Sequence, residues 1–581
     1  MALWVCLLSV FIPSRKANAM VKESTNKWRL CLCFGILVWF VINLLQGVFT
    51  EINEDEAYYA IYGEHLAWGY YDHPPMVGLM AFLSSILFSG TLGVRFCTVI
   101  ISTLTLFVIW KTIREKSPDT KKVSLFLILA FSIVMLNVYG FITTPDASLI
   151  FFSALFLLVY QSYLTEATWP KALLMGLLMA LMMYSKYHAA LLLALVILSN
   201  LSLLKDSKFW VAALIAITLY VPHIMWQFEA DFPSFRYHLY QRSSSFEWGY
   251  LFEYIPNQLV VFNPFTFGAM VYLVLKHRPS DVFERGLFFI VIGFFFFFFL
   301  TAFRGHVEPH WTIVCAIPYI VLLYRKCLID DKLQHYIRKF VMPSILLIVV
   351  ARIVLLLPVS GRFGFYGKEK YYRAIEEVAG ENPVIFHSSF QKPSLYHYFT
   401  GKEASTIRNF DQRKTQFDLL KSDLQWTYKP VFVCAEVEGL STDFQKDEIS
   451  FTGYLTNHFQ TANRLMADFS ILNANDELPV FHHGDTIFLA FTIENPNDAA
   501  IDFQHSEFPM TLKAQYLDTD NSIICHYDAI PLIAPHSVYQ GKAYTIVNET
   551  LDLGENRLTL SIYDRMISAM PSDSFVSIRI E

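Results

Sequence analysis

Along the first 357 positions, long apolar runs alternate with short polar gaps. Runs long enough to cross a bilayer lie at about Leu30–Phe49, Leu92–Ile113, Val123–Tyr139, Ala147–Leu164, Ala172–Tyr184, His188–Leu204, Phe209–Trp226, Leu251–Lys276, Gly286–Phe303, Trp311–Tyr324 and Phe340–Leu357. A crossing helix needs ~20 apolar residues, so the pattern predicts about eleven spans, several of them short. Met76–Phe88 is shorter still and reads as a helix lying at the surface or re-entering the bilayer. The run Phe294–Phe299 suits a lipid-facing helix surface.

After Leu357 the period changes. "KEKYYRAIEEVA" is amphipathic at helical spacing, while "NPVIFHS" and "KPVFVCAEV" read as buried strands. Together they predict a small α/β unit. From about Phe469 short alternating strands follow one another, in "DTIFLAFTIEN", "MTLKAQYLD", "YTIVNETL", "NRLTLSIYD" and "FVSIRI". That spacing predicts an Ig-like β-sandwich. The predicted organisation is an N-terminal segment over residues 1–28, a membrane domain over 29–358, the α/β unit over 359–465 and the sandwich over 466–581.

Composition agrees with the pattern. The chain has 581 residues, of which 54% are hydrophobic and 17% charged, with mean hydropathy +0.38. Soluble domains sit near ~45–50% apolar and ~25% charged, so a wholly soluble protein is excluded. Residues 1–358 carry 27 Lys/Arg and 21 Asp/Glu; residues 359–581 carry 18 and 30. The change of sign marks a boundary near Pro358. The eight cysteines are scattered, and Cys434 and Cys525 fall in different predicted units, against a disulfide framework. The first 19 residues end in Ala-x-Ala but lack a basic region before the apolar run, so a start at Met20 is the preferred reading.

Every second loop is rich in Lys and Arg, including Lys111–Lys122, Lys205–Lys208, Lys276–Arg285 and Arg325–Lys332. Basic loops face the cytoplasm. The other loops and the tail are then extracytoplasmic. On that face the costly polar residues gather: Asp55 and Glu56 after the first span, Asp146 at the start of the fourth, Lys186, Arg236 and Arg242, and Arg304, His306, Glu308 and His310. An ionisable residue at membrane depth is by default a functional candidate. Plainer readings stand beside this one. Asp146 suits a helix N-cap, Lys186 a snorkelling cation, and Tyr58, Tyr59, Tyr62, Trp68, Tyr70 and Tyr71 an interfacial belt. Asp72 and His73 are too few to make a metal site.

Four stretches in order, "DEAYYAIYGEHLAWGYYDHPPM", "TPDASLIFF", "YSKYHAALLL" and "PHWTIVCAIPYIVLL", carry a more specific signal. Together, over roughly residues 28–360, they resemble the bacterial polyprenyl-phosphate-dependent glycosyltransferases of family 39, which have the GT-C fold. The family includes protein O-mannosyltransferase and lipid A aminoarabinose transferase types. The resemblance implies a polytopic α-helical enzyme of the bacterial inner membrane. It would move a sugar from a polyprenyl-phosphate donor to a lipid, glycan or protein acceptor outside the cytoplasm, with inversion.

It implies roles for particular residues as well. Asp55 and Glu56 match the family's acidic pair and would be the catalytic carboxylates, with Asp55 as the base. Lys186 would contact the donor phosphate, Asp146 matches a second family acid, and Arg236, Arg242 or Arg304 could add positive charge. His73 and His310 depart from the family, where some relatives carry Lys and many carry Asn. No cofactor is implied with certainty, and a divalent metal stays open. A nucleic-acid partner is not expected, and no Rossmann fingerprint or P-loop is present. Two alternatives remain: a transporter or flippase of lipid-linked sugars, which would be expected to show internal repeats, and a membrane sensor with a periplasmic binding head.

Overall fold

The computed structural model describes residues 19–237, 247–357, 366–387, 389–408, 414–472, 478–516, 521–566, 570–571 and 575–581. The membrane half begins with α1 (Ala19–Phe49), α2 (Glu54–Glu64), α3 (Met76–Leu87) and α4 (Gly90–Ile113). Next come α5 (Thr120–Phe131), α6 (Val134–Val138), α7 (Pro145–Thr165), α8 (Trp169–Ser185), α9 (Ala189–Ser199), α10 (Ser207–Glu229) and α11 (Pro233–Arg236). It continues through α12 (Trp248–Phe262), α13 (Pro264–Lys276), α14 (Val282–Thr301), α15 (Ala316–Cys327), α16 (Asp331–Tyr336) and α17 (Met342–Leu355).

Among the described residues, five helices are long and apolar enough to cross a membrane: α1 from Lys27, α4, α7, α10 and α14. The pair α12–α13, bent by 105°, would make a sixth. The expectation of eleven spans is therefore not met on this criterion. Local chemistry interrupts the other apolar runs. Asn263 takes a left-handed φ of 71° before Pro264, where the missing N–H and fixed φ of proline start a new helix. A 3₁₀ turn over Pro309–Cys315 precedes α15, and the helix after Lys186 has only 11 residues. The phenylalanine run is two-sided: Phe296 and Phe297 are exposed, whereas Phe294 and Phe298 are buried. Residues i and i+4 share a helix face, so one edge of the run joins the bundle core.

Beyond residue 365, α18 (Lys368–Ala379), α19 (Gln391–Thr400) and α20 (Gln416–Leu420) accompany a five-stranded sheet ordered β2-β1-β3-β5-β4. Its strands are β1 (Val384–His387), β2 (Ala404–Ile407), β3 (Val431–Cys434), β4 (Thr442–Lys446) and β5 (Ile449–Thr456). The first three are parallel, and β5 and β4 add antiparallel. The predicted helix and both predicted strands are present.

The last region has two sheets. One is ordered β11-β12-β8-β6, from β6 (Met466–Ile471), β8 (Thr486–Asn495), β11 (His526–Tyr527) and β12 (Ser537–Ile546). The other is ordered β10-β9-β13-β15-β7, with β14 (Met570–Pro571) beside β13. It contains β7 (Val480–Phe481), β9 (Thr511–Tyr516), β10 (Asn521–Ile524), β13 (Gly554–Tyr563) and β15 (Val576–Ile580). Leu489 and Ile493 from the first sheet share a core with Leu512, Leu560 and Ile578 from the second. Alternate residues of β8 are buried, the period expected of a sheet with one wet face.

Candidate active site

The sequence Asn53-Glu54-Asp55-Glu56 starts α2 with a capping box. The Asn53 side chain accepts from the Asp55 N–H, and the Glu56 carboxylate accepts from the Asn53 N–H. Three acids in the first turn also suit the positive end of the helix dipole. The helix then sends them in different directions. Glu54 pairs with Lys368 of α18 at 2.7 Å. Glu56 turns inward and is fully buried. Asp55, between them, is exposed.

Glu56 meets Arg95 of α4, also fully buried, through two hydrogen bonds of 2.5 and 2.8 Å. Its carboxylate further accepts the Thr143 N–H at 2.8 Å. Arg95 donates in addition to the carbonyls of Gly47, Thr50 and Glu51. One ion pair therefore ties together the end of α1, the start of α2, α4 and the segment leading into α7. Removing one member of a buried pair costs about 3–5 kcal/mol, because the other charge is left uncompensated. With both oxygens engaged in this way, Glu56 is built to hold the loop, which makes it a poor acceptor for a substrate proton.

A second ion pair lies at the start of α7. Asp146 is the second residue of that helix, and Thr144 holds the N-cap position. Its carboxylate receives two hydrogen bonds from the Lys186 ammonium, at 2.7 and 2.9 Å, and both residues are buried. Lys186 reaches it from the C-terminus of α8, and His310 Nε2 approaches the same carboxylate at 3.6 Å from the 3₁₀ turn. The ring of His310 sits edge-on to Tyr139 at 5.9 Å.

Tyr59 joins the parts. Its hydroxyl lies 3.2 Å from His73 Nε2. Burial raises its pKa well above the usual value, and the charges of Asp55, Asp72 and Asp146 raise it further. Those three carboxylates consequently bear on one phenol. Asp72 is buried and accepts a 2.5 Å hydrogen bond from Tyr62, whose ring stacks on Tyr70 at 3.9 Å. The aromatics expected to form an interfacial belt are mostly buried here: Tyr58, Tyr59, Tyr62, Tyr70 and Tyr71 lie within the fold, and Trp68 is exposed.

The structure thus gathers Asp55, His73, Asp146, Lys186 and His310. Arg236 stands apart, half-exposed and paired with Asp231, and Arg304 is exposed. Arg242 falls outside the described residues. Arg95, Asp72 and Tyr59 were not among the expected site residues. Arg95 had a clear signal, a lone cation inside an apolar run. Among the described residues no three His, Cys, Asp or Glu side chains are grouped to hold a metal ion.

The α/β unit grips the same loop. Gln416, buried, donates its N–H to the Tyr58 hydroxyl at 2.6 Å and accepts from the Tyr71 N–H at 2.9 Å. Phe417 and Phe390 pack against Tyr58. His397 reaches Glu64 at the far end of α2 at 2.8 Å.

The helical bundle has a GT-C-like fold, and part of the chain is similar in sequence to a glycosyltransferase family. Residues 72–226 match the family model described as dolichyl-phosphate-mannose-protein mannosyltransferase. Two solved structures of ArnT from Cupriavidus metallidurans are similar in fold. The apo form has a TM-score of 0.56 at 14% identity, over 74% of this chain and 98% of that one. The form bound to undecaprenyl phosphate has a TM-score of 0.53 at 13% identity, over 74% and 99%. No curated protein sequence gives a significant match.

Proposed function

We propose that this multi-pass membrane protein is a glycosyltransferase that moves a sugar from a polyprenyl-phosphate donor to an acceptor outside the cytoplasm. The observation that carries this reading is the meeting of Asp55, Asp146, Lys186, His310 and His73 at one end of the bundle. The undecaprenyl phosphate bound by the similar ArnT structure supports the donor class. A further support is an apolar cleft of about 340 Å³ between α3 and α4, lined by Leu83, Ile86, Phe96 and Ile100. An isoprenoid tail fits such a surface better than any polar substrate.

In the proposed mechanism, the acceptor hydroxyl oxygen attacks the anomeric carbon and the bond from that carbon to the phosphate oxygen breaks. Asp55 accepts the hydroxyl proton, which then passes to solvent. The departing polyprenyl phosphate carries the bonding electrons, and its second pKa near ~6 makes it a good leaving group with little need of an acid. Lys186 and His310 offset its charge. Lys186 is already shared with Asp146, so the phosphate competes with that carboxylate for the ammonium. Asp146 then holds the buried lysine in place while the site is empty. A single displacement of this kind inverts the sugar.

Undecaprenyl phosphate binding tests the reading. The lipid is expected to raise the unfolding temperature of the wild type in nanodiscs, and Lys186→Ala to weaken binding about tenfold or more. No stabilisation by undecaprenyl phosphate beyond that given by an ordinary phospholipid would count against the donor class.

A further inference from the structure

A second cleft, of about 390 Å³, lies at the seam between the first turn of α2 and the α/β unit. Glu54 forms part of its wall, with Lys368 and Tyr371 of α18 and Gln391 and Lys392 of α19. Some of these groups already have structural work. Glu54 and Lys368 neutralise each other at 2.7 Å, and Glu51 accepts from the Lys368 and Glu369 N–H groups, fixing the start of α18. Three others do not: among the described contacts the Lys392 ammonium, the Gln391 amide and the Tyr371 hydroxyl have no hydrogen-bond or ion-pair partner. A cation, an amide and an amphipathic ring therefore stand around one open space.

These groups do not suit an isoprenoid. A partly exposed lysine–glutamate pair and an amide line this cleft, whereas the cleft between α3 and α4 is apolar. They do suit a sugar carrying a negative charge. The ring of Tyr371 offers a face to the C–H side of a pyranose, the amide serves its hydroxyls, and Lys392 attracts its carboxylate or phosphate. Glu54 is the neighbour of Asp55, so the cleft opens beside the first turn that holds the proposed base.

We propose that this cleft is a remote subsite for an anionic glycan segment of the acceptor. The proposal rests on the glycosyltransferase reading only for the word acceptor; the cleft chemistry is independent of it. Contacts away from the reacting atoms orient the acceptor and are used for rate as well as for affinity. They would also select acceptors by charge, because a neutral glycan leaves Lys392 without an anion.

Binding to the full-length protein in nanodiscs tests this with two probes, an oligogalacturonate and a neutral dextran oligomer of equal length. Undecaprenyl phosphate binding is measured alongside. The acidic oligomer is expected to bind more tightly than the neutral one. Lys392→Glu should weaken it about tenfold, Lys392→Arg should preserve it, and Tyr371→Ser should weaken both oligomers. All three variants should bind undecaprenyl phosphate as the wild type does. Equal binding of the acidic oligomer to wild type and Lys392→Glu, or no binding to either, would overturn the subsite. Binding of the acidic oligomer without undecaprenyl phosphate would keep the glycan site and remove the enzyme reading.

Discussion

The two halves of the tail stand in different relations to the membrane bundle. The α/β unit is fastened to the first loop along its length, through Glu51 and Glu54 at the start of α2, Tyr58 in its middle and Glu64 at its end. The two-sheet region makes its described hydrogen bonds within itself and to the α/β unit, as from Thr427 to Asn497 and from Gln460 to the Phe508 carbonyl. The loop that carries Asp55 is thus held from two sides, by Arg95 from the bundle and by Gln416 from the α/β unit. The two-sheet region lies one step further away. Among the described contacts it makes no hydrogen bond to the membrane bundle, while the α/β unit forms part of the support of the first loop.

The largest effect should come from the bundle side of this clamp. Arg95→Met leaves the Glu56 carboxylate buried and unpaired, a cost of about 3–5 kcal/mol, and should remove most folded protein as judged by size-exclusion after extraction. The double variant Glu56→Gln with Arg95→Met should recover part of the yield. No loss in the single variant would break the view of this pair as the anchor of the loop.

A smaller effect is expected across the seam. Gln416→Ala deletes the acceptor for the Tyr71 N–H and loosens the turn that carries Asp72 and His73. Turnover should fall about tenfold with little change in donor affinity. At the junction one step outward, Thr427→Val should change turnover less than about twofold, since its bond to Asn497 is long at 3.4 Å. Equal effects at the two positions would erase the distinction between the regions.

The smallest effect is a dependence of docking on pH. The hydrogen bond that His397 donates to Glu64, opposed by partial burial, raises the pKa of His397 above its ordinary 6.5. At Glu64 burial works upward, but the His397 hydrogen bond prevails and lowers the pKa below 4.5. The histidine's contribution is complete below pH 6.5 and is lost as pH rises through its raised value. The glutamate's is complete above pH 4.5 and is lost as pH falls through its lowered value. Docking should therefore be strongest between these limits. Because Glu64 is half-exposed, the gain is at most about 1 kcal/mol. Limited proteolysis at the seam should speed up above the raised His397 pKa, and His397→Gln should remove that dependence.

Much of this was legible in the chain because it is written in local periods. Apolar runs and the alternation in β8 each need only neighbouring residues. Asp146, Lys186 and His310 could be singled out one by one as polar residues at helix ends. Their meeting could not, since it depends on how three helices pack. Glu56 shows the limit most clearly. Its identity and position marked it as catalytic beside Asp55, yet the turn of a helix separates their directions by one residue, and Arg95 decides which carboxylate is consumed. Gln416 gave no local signal, because its partner Tyr71 is 345 positions away. The eleven expected spans are not confirmed by helix length and composition, and apolar length alone does not register a break such as Asn263-Pro264.

The assignment of the base to Asp55 is the centre of the account, and Asp55→Asn tests it most directly. Purified wild type and variant would be compared for transfer of a labelled sugar from polyprenyl phosphate to envelope membranes prepared without this protein. Transfer by the variant should fall at least about a hundredfold, while its unfolding temperature and undecaprenyl phosphate binding stay at wild-type values. Transfer at close to the wild-type rate would contradict the assignment.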